Sequence, residues 1–251
     1  ADGLRAQELV FGWPLAEDED ERSLLLGALS THGRWLADES HQATGNHALH
    51  QNVGLFVVGS FLRRGEWQQV AVDRMESLFL QSFDDAGAND EGSPDYHRMN
   101  LSWWRAAWDR VALEGITVPD SVPRTLSRAA TFLAHLTRPD GTLVPIGDTH
   151  LKRVNSDGWE ELEFVASSGT SGEPPRTTVV AAPNGYVLGR SGWGDPQRPF
   201  EQHSHYSIRY GNHTSSHQHE DRGSLTFFTG GQDWLTDPGS YMYEPRDPFR
   251  K

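Results

Sequence analysis

The spacing of apolar residues changes once along this chain, and that change limits the folds open to it. Leu101, Trp104, Trp108 and Val111 recur at helical intervals, and Leu126, Ala129, Leu133 and Leu136 repeat the pattern. Each set falls on one face of an α-helix. Leu49, Val53, Phe56, Val57 and Phe61 do the same within 46–63, as do Trp67, Val70, Met75 and Leu78 within 66–82. An acidic opening before Leu25, Leu29 and Leu36 marks a helix over 21–38. Short turns between them predict antiparallel helix hairpins, in an odd and incomplete set. Periodicity fades after "RPDG", and 151–176, which includes most of "SSGTSGEPPRTT", reads as a linker. From 177 the pattern becomes short apolar runs separated by glycines: "TTVVAA", "GYVLGRSGW", "HYSIRYG", "SLTFFTG" and "QDWLTD". Such runs predict antiparallel strands. The expected organisation is α+β and multidomain: helices over 1–150, a linker over 151–176 and an antiparallel β domain over 177–251. A cleft between domains is the default place for a site.

Composition excludes several functions. The 251 residues carry a net charge of −13, so the basic footprint of a nucleic-acid binder is absent. Local arginines and histidines can still hold an acidic ligand against that overall sign. There is no cysteine, which removes disulfides and thiolate metal sites. No apolar run is long enough to span a membrane, and "ADGLRAQELV" lacks a signal-peptide core. The 9 tryptophans suit a large core and also stacking on sugar rings.

Chemistry concentrates in "HQHEDRGSLTFFTGGQDWLTDPGSYMY", residues 217–243. His217, His219 and Asp221 alternate, so an extended backbone would put all three on one face of a strand. That pattern fits a solvated polar face. It also fits a metal site, since His-x-His offers two imidazoles from one strand. Gly211, His217 and His219 match a cupin opening, but Gly223 and Ser224 stand where the cupin glutamate belongs. His219 and Asp237 could instead share zinc. A hairpin turn at Gly230-Gly231 would leave them about 16 Å apart along the strands. Shared ligation therefore requires "EDRG" to fold back, which Gly223 permits.

This stretch resembles the signature of the heparinase II/III superfamily of polysaccharide lyases. "GNHALHQNVGLF", "NDEGSPDYHRMN", "PDGTLVPIGD" and "GYVLGRSGWG" resemble further segments of it, in the same order. The resemblance implies an incomplete (α/α) toroid followed by an antiparallel β-sandwich. It also implies β-elimination on a uronate: a base removes the C5 proton, donors neutralise the carboxylate, and an acid protonates the oxygen leaving C4. By position, Asn46 and His47 match the neutralising pair, Tyr96 the acid and His217 the second acid–base group. His219 and Asp237 match zinc ligands that hold β-domain loops. Arg98, Arg105, Arg190, Arg209, Arg222, Tyr241 and Tyr243 are expected at the substrate. Arg98, His97 or Arg105 would supply the positive field that helps Tyr96 ionise.

Other readings stand beside these. Asn46 also fits a helix N-cap, and Tyr96 a core aromatic at a helix start. Trp103, Trp104 and Trp108 fit a core better than a sugar platform, and His41 and His50 fit the surface. The resemblance implies a longer β domain, so the chain reads as a fragment or processed piece. A second chain, a further C-terminal segment or a homo-oligomer would complete it. The expected partner is an acidic polysaccharide or oligosaccharide, met outside the cell or in the periplasm, or in the cytoplasm if imported. A non-catalytic glycan-binding scaffold, a cupin-like metal enzyme and a two-carboxylate hydrolase are the rivals.

Overall fold

The computed structural model describes residues 2–210 and 217–240. Tyr241 and Tyr243 lie outside the described residues. The chain divides into two compact units. The first comprises Ala1–Gln81 and Trp103–Val122, and the second Ser82–Ser102 and Pro123–Lys251.

In the first unit, helices α1 (Asp2–Phe11), α2 (Glu19–Ala37), α3 (Gly45–Phe61) and α4 (Gly65–Ser82) follow one another through short connections. Helix α5 (Pro94–Leu113) contributes its later turns to this unit and its opening turns to the second. The acidic start seen in the sequence caps α2: the Asp18 carboxylate accepts from the Glu21 backbone N–H at 2.8 Å. Helix α3 is apolar almost all round, and Leu49, Leu55, Phe56 and Val58 are buried. A helix of that composition belongs inside a helical layer. Trp104 and Trp108 pack edge-on against Phe79, with centroids 5.1 and 6.0 Å apart. Both tryptophans are core, as their spacing predicts. Burial of each such side chain contributes about 1.5–3 kcal/mol.

The second unit joins α6 (Ser121–His135), most of which it holds, to α7 (Glu160–Ala166) and a five-stranded sheet. Strands β1 (Val179–Ala182), β2 (Tyr186–Arg190), β3 (His205–Arg209), β4 (Leu225–Thr229) and β5 (Gln232–Leu235) run antiparallel in chain order. All the predicted strands are present. Thr229 pairs with Gln232 across Gly230 and Gly231, whose φ values are +60° and +76°. That is the positive-φ turn a two-residue hairpin requires, and glycine adopts it without strain. Helix α7 lies inside the stretch that reads as a linker, and buries Leu162, Phe164 and Val165.

The register separates two faces of the sheet. Cross-strand pairs Ala182–Tyr186, Leu188–Ser207, Arg190–His205, Tyr186–Arg209 and His205–Phe228 share a buried face. That face meets α6: Tyr186 packs edge-on against Phe132, and His205 Nε2 bonds the His135 carbonyl at 2.9 Å. Arg190 donates to the carbonyls of Ala134, His135 and Thr137, the C-terminal end of α6. Its guanidinium also lies 3.6 Å from the Trp193 ring centroid. A cation is favoured at that end of a helix. Arg209 is likewise buried, bonded to the carbonyls of Asn184 and Gly185. The opposite face carries Val179, Ile208, Leu225 and Leu235, all exposed.

Candidate functional site

Helix α5 opens on Pro94, a residue suited to the first helical turn because its missing N–H has no partner there anyway. That turn presents Tyr96. Its ring stacks on His217, centroids 3.4 Å apart and planes within 14°. Tyr96 is thus half-buried against the other expected acid–base group, and is not a plain core aromatic.

A residue with no expected role organises this pair. Asp148, 3% exposed, accepts from Nδ1 of His217 at 3.2 Å and from Nε2 of His219 at 3.0 Å. A carboxylate only accepts, so Nδ1 of His217 carries a proton, and Nε2 is its second ring nitrogen. That second nitrogen lies 3.6 Å from Glu91. Burial raises the Glu91 carboxyl above its usual range, against a lowering bond from Asn100. Gly147, at φ +57°, lets the backbone reach this spot. A Cβ there would strike the His217 carbonyl, which accepts from the Asp148 N–H at 2.9 Å.

Residues 217–224 form turns and loop rather than strand; β4 begins at Leu225. His217, His219 and Asp221 therefore do not share a strand face. Asp221 turns back instead: it accepts from the Gly147 N–H at 3.1 Å, and Gly223 adopts φ +83°. This is the fold-back that shared use of His219 and Asp237 requires. Donor atoms of His219, Asp221 and Asp237 lie within 4.8 Å of one another. Asp237 is held by Ser224 Oγ and the Gly239 N–H, each at 3.0 Å. Burial, and then the Asp237 charge, push the Asp221 carboxyl up. One imidazole and two converging carboxylates fit a small divalent cation. Tetrahedral zinc spaces its donors about 3.4 Å apart, a short contraction from this arrangement. Asp148 engages Nε2 of His219, so Nδ1 is the nitrogen left for a cation, with Asp148 orienting the ring behind it.

The expected arginines separate. Arg98 clasps Asp95 with Nε and a terminal nitrogen, at 3.1 and 2.7 Å. Arg190 and Arg209 are interior, spent on backbone carbonyls and aromatic faces, which corrects their expected place at the substrate. Arg222 is half-exposed beside Glu220. Arg105 pairs with Asp109 at 3.8 Å within the first unit. His97 is no cation for Tyr96. It accepts from the Asn89 N–H, bonds the Ala129 carbonyl through Nε2, and burial lowers its pKa to about 4.

In the first unit, α3 starts at Gly45 with Thr44 as its N-cap. Asn46 is therefore not the cap. It is half-buried and His47 exposed, and among the described residues no hydrogen bond engages either side chain. His50, expected at the surface, is half-buried and stands edge-on to Trp103 at 5.3 Å. His41 is exposed and stacks on Trp35.

Comparison with known proteins bears on the family and the fold. The heparinase II/III N-terminus model matches residues 16–162, and the heparinase II/III-like C-terminal model matches 182–251. A heparin-sulfate lyase of Bacteroides stercoris is 22% identical over 223 residues, 81% of this chain and 32% of that protein. A heparinase III structure with methylated lysines superposes with a TM-score of 0.79 at 18% identity, over 98% of this chain and 41% of that one. A mutant heparan sulfate lyase from Pedobacter heparinus gives 0.75 at 20% identity, over 99% and 42%. The chain thus spans well under half the length of these relatives, and shares their fold over nearly all of its own. With the N-terminal match alone covering more than half of its residues, the chain belongs to the heparinase II/III family.

Proposed function

We propose that this chain carries the acid–base centre of a lyase that cleaves a uronate-containing glycan by β-elimination. The stacked Tyr96–His217 pair, with His217 held by buried Asp148, is the observation that carries the reading. A phenol and an imidazole stacked this closely suit acid–base work on one sugar ring. Nε2 of His217 or the ionised Tyr96 takes the C5 proton. Tyr96 O–H protonates the C4 oxygen as its bond breaks, and the electron pair of the C–H bond becomes the new C4–C5 double bond. The family resemblance alone assigns Asn46 and His47, whose side chains make no hydrogen bond among the described residues, to the uronate carboxylate. A donor there lets charge flow into the carboxylate as the C–H bond breaks. The relatives are named for heparin and heparan sulfate, so a glycosaminoglycan is the substrate class this reading favours.

The finer fold belongs to the same reading. Helices joined in hairpins suit an incomplete (α/α) toroid. The exposed apolar face of the sheet suits one layer of a β-sandwich, whose second layer would come from a further segment or another chain.

His219, Asp221 and Asp237 would hold zinc, which would neutralise two close carboxylates and pin the loop before β4 to the chain after β5. Elemental analysis of protein purified without chelator is expected to find zinc. Asp221→Ala should lower that content at least about tenfold, as loss of one of three protein ligands does. Equal metal content in the variant would remove Asp221 from the set.

The activity is tested with heparan sulfate, hyaluronate, alginate and mixed exopolysaccharide. Ultraviolet absorbance of the C4–C5 double bond is expected to rise with at least one of them. New reducing ends without that absorbance would mean hydrolysis. Binding without either would mean a non-catalytic module.

A further inference from the structure

Beside the acid–base pair, basic side chains gather on one carboxylate. Asp95 lies in the first turn of α5 with its side chain 2% exposed. Its Oδ1 accepts from Arg98, and its Oδ2 lies 3.1 Å from Lys152 Nζ and 3.5 Å from His150 Nδ1. Burial alone would raise this carboxyl, but bonds and charge from Arg98 and Lys152 outweigh it and hold it below its usual range. Asp95 is thereby favoured in its ionised form.

One negative charge thus faces two permanent positive charges and an imidazole. The surplus is positive, in a chain whose net charge is −13. Both Arg98 donors converge on Oδ1, and Lys152 alone is close enough to satisfy Oδ2. The ammonium of Lys152 has three donors and spends one here. Lys152 and His150 are 49% and 58% exposed, so their remaining donors are open to solvent. The position is telling as well. Asp95 directly precedes Tyr96, while His150 and Lys152 follow Asp148, which holds His217. A Ser93–Thr149 side-chain bond of 2.9 Å ties the two segments together.

We infer that Arg98, Lys152 and His150 form an anion subsite for a sulfate group of the glycan, on a sugar neighbouring the one at Tyr96 and His217. This rests on the lyase reading, which commits the reacting uronate's carboxylate to other donors. A sulfate keeps its charge at any working pH. Its three terminal oxygens suit donors arriving from three side chains, where a carboxylate offers two.

The test measures equilibrium binding of a heparin hexasaccharide and of an unsulfated N-acetylheparosan hexasaccharide, both in a Tyr96→Phe background that prevents turnover. Lys152→Ala is expected to weaken the sulfated ligand about tenfold, the value of one charge-assisted hydrogen bond, and the unsulfated one less than about twofold. Lys152→Arg should retain most of the sulfated affinity. Equal weakening of both ligands would assign the cluster to a carboxylate and overturn the proposal, as would unchanged affinity for the sulfated ligand or binding of neither. Circular dichroism melts of each variant separate these results from misfolding. Should the parent chain show no double-bond absorbance, the lyase reading falls, while the sulfate preference is still read by binding.

Discussion

Tyr96→Phe is expected to abolish double-bond formation while leaving the protein folded. Phenylalanine keeps the ring that stacks on His217 with centroids 3.4 Å apart, so the packing of the first turn of α5 is retained. What disappears is one O–H group. In the proposed reaction that group supplies the proton to the departing C4 oxygen. Without it the bond must break to an alkoxide, which is a poor leaving group in water. Removal of a positioned acid–base group costs about 10²–10⁴-fold in kcat. Substrate affinity should change little, because the loss falls on the transition state rather than on ground-state contacts. The measurement is steady-state absorbance on the best glycan found for the parent chain, with melting curves of both proteins. A variant within tenfold of the parent would remove Tyr96 from the chemistry and leave it a packing residue.

Asp148→Asn should be nearly as damaging, for a different reason. The native carboxylate accepts from Nδ1 of His217 and Nε2 of His219. The amide is close to isosteric but presents an NH2 group in place of one oxygen. Directed at His217, it would donate to Nδ1, move the imidazole proton to Nε2 and block the atom proposed to take the C5 proton. Directed at His219, it would compete for the same ring nitrogen and loosen the orientation of a proposed zinc ligand. A fall in kcat of about 10³-fold is expected, with metal affinity lower by about 10–100-fold. The two losses are separable. Excess zinc should restore metal content but not activity, because the tautomer of His217 remains wrong. Full rescue of activity by zinc would show that Asp148 serves the metal alone.

Residues far apart in the chain meet here, and local pattern shows only part of that. The helical spacing of Leu126, Ala129, Leu133 and Leu136 and the strand runs around Gly230-Gly231 are statements about neighbours, so the sequence discloses them. Helix α1 and the short α7 escape such a reading. Helix α7 is held by burial of Leu162, Phe164 and Val165 rather than by a long repeating stripe. Tyr96 and His217 are legible through the order of family motifs. Asp148 is not: it sits in "PIGD", 69 residues before His217, and nothing local marks it as the partner. Arg190 and Arg209 suggest anion contacts because charges usually stay at surfaces. The register of β2 and β3 turns both inward, where carbonyls and aromatic rings take up the charge.

By itself the sequence determined where helices give way to strands and where the hairpin turns. Those properties follow from backbone preference and apolar period, which act over a few residues. Tertiary structure alone decided that His217 and His219 share Asp148, that Asp221 turns back toward Asp237, and that Lys152 joins Arg98 on Asp95. Each depends on a buried carboxylate finding donors from a distant segment. Desolvation makes an unpaired charge there too costly to leave, and no local rule names the donor.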